Sequence, residues 1–127
     1  MTESIDKKPS EILADAIKLL DGGANWMKEE LADGTGSYCL LGAVSKAYYG
    51  EFRFNDLWHA GDDRLLYPKD SGIPALQRTN DYIVQACNGL QGYEINDNPE
   101  TEFEDVQRVL CIATQLALEE ESRDDAA

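Results

Sequence analysis

The chain has 127 residues, the size of one domain, with 25 acidic against 11 basic side chains and a formal net charge of -14. That charge argues against direct binding of nucleic acid or anionic membrane, both of which would repel it. A hydrophobic share of 43% is too high for a disordered chain.

The first thirty residues hold no uninterrupted apolar stretch, because Lys7, Lys8, Glu11 and Asp15 break it, so no secretory signal is expected. The longest apolar run, around Cys39-Leu40-Leu41, falls far short of the roughly 20 residues of a membrane span. Cys39, Cys87 and Cys111 are odd in number and lack a CxxC pair, which fits reduced thiols in a cytoplasmic setting. Each sits among apolar neighbours and reads as a small buried hydrophobe.

The first helix is predicted over 10–21. Pro9 and Ser10 mark its start, Glu11 complements the dipole of the first turn, and Ile12, Leu13, Ala16, Ile17 and Leu20 form one stripe. Gly22-Gly23 ends it. Residues 25–37 carry Trp26 and a turn signal at Asp33-Gly34-Thr35-Gly36, and a short extended element or half-hairpin is expected there. A second helix is predicted over 38–49, with Leu40, Leu41, Val44, Ala47 and Tyr48 on its face and Gly50 at its end.

Residues 50–73 look irregular. Six of the eleven aromatic residues (Tyr48, Tyr49, Phe52, Phe54, Trp58 and Tyr67) fall between 48 and 67, so the stretch must cover something. It is either a connection folded down on the core or an exposed aromatic surface for a partner, with Phe54 and Trp58 as candidate contacts. A third helix is predicted over 74–91, opened by Pro74 and closed by Gly89 and Gly92. The fourth is predicted over 102–120, with Thr101 and Glu104 as a reciprocal capping box. The ends at 1–8 and 119–127 are expected to be flexible. The whole is a mainly α single domain over 1–127, with Ile12, Ile17, Leu20, Leu41, Val44, Ile83, Phe103, Val106 and Leu110 in its core.

Signatures of chemistry are sparse. His59 is the only histidine, which removes any multi-histidine zinc site, and no phosphate-cradling glycine motif occurs. Asn96-Asp97-Asn98-Pro99-Glu100-Thr101-Glu102 offers oxygen ligands but lacks the glycine of a calcium loop, so turn formation is the better reading. No cofactor, metal or catalytic set is expected. A small enzyme built on Cys39 or His59 stays as the alternative.

The distinctive feature is the placement of charge. Glu94, Asp97, Glu100, Glu102, Glu104 and Asp105 follow one another with no basic residue between them. Acids at a helix start complement its dipole, but six exceed that need. The surplus is either solubility decoration or a surface for a basic protein partner, in which Glu94, Asp97, Glu100, Glu102 and Asp105 are the candidate contacts. A sharper version is an acidic mimic of nucleic acid that blocks a basic nucleic-acid-binding protein or nuclease.

The Trp segment after the first helix, Tyr38-Cys39-Leu40-Leu41-Gly42-Ala43-Val44, and Ile95-Asn96-Asp97 followed by Thr101, Val106, Leu110 and Ala113 form a pattern. Over about residues 10–117 it resembles an uncharacterised small-domain family of actinobacteria and their phages. The resemblance implies a compact helical fold and a phage or mobile-element setting, and it implies no activity.

Overall fold

A computed structural model of the chain describes residues 7–28, 32, 36–62, 65 and 71–126, with only the backbone of 51, 52, 93 and 124–126. Among the described residues the structure is helical: α1 (Pro9–Leu20), α2 (Leu40–Tyr49), α3 (Glu51–His59), α4 (Pro74–Ala86), α5 (Gly92–Asp97) and α6 (Phe103–Ala126). Helix α1 lies against α2 and α6, and α6 lies in turn against α4. Ile12, Leu20, Leu41, Val44, Ile83, Val106 and Leu110 are buried as expected, whereas Ile17 and Phe103 pack at the rim of the core.

The long helices begin where the predicted signals lie. Pro9 opens α1, and the Glu11 carboxylate accepts a hydrogen bond from the Lys8 amide at 3.2 Å. Asp21 then turns into the left-handed region (φ 46°) and ends the helix. Gly23 follows at φ 100°, a backbone conformation that favours glycine, and the Phe103 ring stands 3.0 Å from where a Cβ would be, so a side chain there would also press on that ring.

The differences from the sequence reading have physical causes. Residues 51–59, expected to be irregular, form α3: Phe54 and Leu57 bury at helical spacing, and Arg53, Asn55 and Asp56 hide that period in the sequence. Helix α4 ends at Ala86 rather than 91. Asn88 (φ 55°) adopts the left-handed conformation, and the amides of Asn88 and Gly89 bond the carbonyls of Gln85 and Val84, a paired cap that consumes the last turn. Leu90 therefore lies beyond the helix and is 44% exposed.

Helix α5 is new, and its sign in the sequence is Gln91-x-x-Glu94, whose Gln91 amide donates to Glu94 Oε1 at 3.1 Å. Helix α6 runs to Ala126, past the predicted end at 120. Near that end Glu121 reaches α1, accepting hydrogen bonds from the Ser10 amide (3.1 Å) and hydroxyl (2.6 Å). It thereby satisfies a donor that the first turn of α1 leaves without a helical partner.

The extended element expected over 25–37 is reduced to two isolated bridges, Trp26 with Tyr38 and Ala32 with Tyr38. Among the described residues no strand forms. The expected turn at 33–35 and Tyr67 lie outside the described residues.

Candidate functional site

Three places carry the sequence's candidate residues. The first is the junction of α5 with α2, organised by Asn96, whose side chain is fully buried. Its Oδ1 accepts from Trp26 Nε1 (2.7 Å) and from the Leu40 amide (3.0 Å). Its Nδ2 donates to the Met27 carbonyl (3.1 Å) and to Asp97 Oδ1 (3.0 Å). Two lone pairs and two N–H groups are all an amide has, and all four are used.

Asn96 therefore caps the start of α2 from another helix, with Cys39 Sγ accepting from the Gly42 amide (3.3 Å) beside it. Gly92 allows the close approach, since a Cβ there would stand 3.2 Å from Leu40 and 3.3 Å from Leu41. Of the oxygen-rich stretch, Asn96 is thus anchored inward, whereas Asn98, Pro99 and Glu100 are exposed. Among the described residues no three His, Cys, Asp or Glu side chains converge to hold a metal ion.

The second place is the acidic turn between α5 and α6. Three of its carboxylates have local bonding duties: Glu94 caps α5, Asp97 bonds Asn96, and Asp105 Oδ2 accepts from the Glu102 amide at 3.0 Å. That last contact corrects the expected cap. Helix α6 starts one residue later than predicted, so Glu102 and Asp105 replace Thr101 and Glu104 as the capping pair. Asp105 also touches Arg108 at 3.4 Å.

Glu100, Glu102 and Glu104 are exposed, and their carboxylates make no hydrogen bond or ion pair among the described residues. The turn beneath them is pinned by Lys28 Nζ on the Asn98 carbonyl (2.8 Å) and by Asn98 Oδ1 on the Glu100 amide (2.9 Å).

The third place is the aromatic stretch with the thiols and His59. Phe54 is 1% exposed and packs edge-on against Tyr38 at 5.8 Å, so its ring belongs to the core and not to a surface. Trp58 is half-buried beside the exposed His59, their rings 5.1 Å apart. Burial pushes the Cys39 thiol up to about 11, the nearby Asp97 charge adding to it against the hydrogen bond from the Gly42 amide. Burial does the same to Cys87, also to about 11. Both are protonated thiols at neutral pH, without the thiolate that nucleophilic work requires. Cys111 is exposed on α6. A disulfide-exchange reagent at about pH 8 is expected to modify one thiol per native chain within minutes and all three only after denaturation. Rapid modification of two or three thiols in the native protein would contradict this burial.

Among the described residues, no helix is long and apolar enough to cross a membrane. Compared with known proteins, residues 4–116 match the sequence model of a family of unknown function (DUF6197). No curated protein and no solved structure matches the chain.

Proposed function

The chain belongs to this family of unknown function, and from that premise we propose that it is a non-enzymatic protein-binding module of the cytoplasm. It presents the acidic turn between α5 and α6 to a basic protein surface. The observation that carries the reading is the division of labour among the acids. Glu94, Asp97 and Asp105 have local partners, whereas Glu100 and Glu102 stand exposed on a pinned turn and Glu104 beside them in the first turn of α6, where like charges repel with no side-chain bond in return. A fixed backbone lowers the ordering cost of binding, and clustered charge steers a basic partner toward it.

The sharper reading is an acidic mimic that occupies the nucleic-acid site of a basic protein or nuclease, as an inhibitor encoded by a phage would. The same three carboxylates favour it. The enzyme reading built on Cys39 has the buried, protonated state of that thiol against it.

The test replaces Glu100, Glu102 and Glu104 by Gln together, leaving the capping carboxylate of Asp105 in place. Used as bait beside the wild type at about 0.05 M and about 0.5 M salt, the variant should lose the proteins that the wild type holds at low salt only. Its melting temperature should be unchanged or slightly higher as self-repulsion falls. Capture of the same proteins by both baits at both salt concentrations would end the reading for this turn.

A further inference from the structure

The outward face of α6 differs from the rest of the surface. From Val109 to Leu118 the helix carries no charged side chain, in a chain with 28% charged residues. Val109, Leu110, Ala113 and Ala117 of that stretch are buried, but Cys111, Ile112, Gln115 and Leu118 face outward. Ile112 and Leu118, 42% and 48% exposed, are two of the three large hydrophobic side chains that stand out on the surface among the described residues. A shallow depression of about 440 Å³, lined by Gln115, Leu118, Glu119, Ser122 and Arg123, lies on the same face.

Charges bracket this neutral stretch in a self-complementary order. Glu104 and Arg108 precede it, Glu119 and Arg123 follow it, and the same four-residue step separates the members of each pair. All four are exposed. When two copies of α6 run antiparallel about a two-fold axis, the register that sets Arg108 across from Glu119 also sets Glu104 across from Arg123. Each pair occurs twice by symmetry, and the uncharged centre is enclosed between them. A parallel arrangement would instead set Arg108 against Arg108 and Glu119 against Glu119.

We propose that the outward face of α6 is an antiparallel homodimer interface, its occupant a second copy of this chain seated by Arg108–Glu119 pairs around Ile112, Gln115 and Leu118. Arg108 now touches Asp105 at 3.4 Å, both largely exposed, and a pair of that kind is exchanged at little cost. Pairing one helix face buries less than the roughly 1,200 Å² of a stable complex, so the dimer is a weak one that forms at high protein concentration. The net charge of -14 opposes it over long range, and salt near the physiological range screens that repulsion over about 8 Å.

Sedimentation equilibrium of the purified chain, loaded up to about 1 mM in about 0.15 M salt, tests the interface. The wild type should fit a monomer–dimer equilibrium. Arg108→Glu and Glu119→Lys, each setting like charges across the axis, should weaken it by roughly tenfold or more. The double variant, with both signs exchanged, should recover most of the loss, and Leu118→Asp should leave a monomer. Circular dichroism confirms that every variant keeps its helix content. A wild type that stays monomeric throughout overturns the proposal, and so does a dimer indifferent to the single reversals. Failure of the double variant to recover overturns it as well.

Discussion

Replacing Asn96 by Ala is expected to destabilise the protein by about 2–4 kcal/mol, a large share of the stability of an ordinary domain. Three effects act together. The Trp26 indole N–H and the Leu40 amide lose their common acceptor, and the Met27 carbonyl loses a donor; the Leu40 bond is buried and the other two are part-buried. Each buried polar group left without a partner costs about 1–3 kcal/mol, and water has little room to replace a side chain enclosed by α2 and α5. Urea denaturation followed by tryptophan fluorescence measures the loss. Asn98→Ala, on the exposed side of the same turn, should change stability by under about 1 kcal/mol and serves as the control. A loss below about 1 kcal/mol for Asn96→Ala would show that the four-bond junction does not hold the fold together.

Alkaline pH is expected to destabilise the protein in a defined window. Cys39 and Cys87 are raised by burial from the ordinary 9.0 to about 11, so the unfolded chain releases these protons first as pH rises. Between about pH 9 and pH 11 the folded state holds more protons than the unfolded one, and stability falls with pH. Below pH 9 the contribution is fully present. By about pH 12 each thiol has removed roughly 2–3 kcal/mol. Burial raises Tyr48 and Tyr82 as well, which steepens the upper part of the decline. Urea midpoints taken from pH 8 to about pH 11 should show the fall, and a Cys39→Ser/Cys87→Ala double variant should show a shallower one. A wild-type midpoint that stays flat across the window would contradict the assigned burial.

How much of this was legible in the sequence depends on which residues carried the signal. The long helices were, because Ile12, Leu13, Ala16 and Leu20, and again Val106, Leu110, Ala113 and Ala117, repeat an apolar face over several turns. Helix α3 was hidden because Phe52 and Phe54 alternate in the sequence like a strand, and among its described side chains Phe54 and Leu57 alone are buried, too short a face to show a helical period. Helix α5 was overlooked because Gly92 reads as a terminator until Leu40 and Leu41 are seen packed where a side chain would stand.

The candidate site was legible in its residues but not in their arrangement. The segments that carried the family resemblance, around Trp26, Cys39-Leu40 and Asn96-Asp97, meet at the Asn96 side chain. No periodicity can reveal that meeting, since it joins residues 70 and 56 positions apart. The capping pair of α6 was misplaced by one residue because Thr101 and Glu102 both precede an acid three positions on, and composition alone does not choose between them.

The grip of Glu121 on Ser10 bears on the order of assembly. The two residues are separated by 111 positions, so the first turn of α1 is synthesised long before its acceptor exists. A nascent chain can wind α1 and pack it on α2 early, but the start of α1 stays unsecured until α6 has been made and has docked. Closing so long a span is entropically slow, which places this contact among the last to form. Contacts made after the folding barrier act on escape from the native state and not on arrival. The hydrogen bonds from Ser10 to Glu121 are therefore a latch: cutting them would shorten the lifetime of the folded molecule while leaving its rate of folding almost untouched.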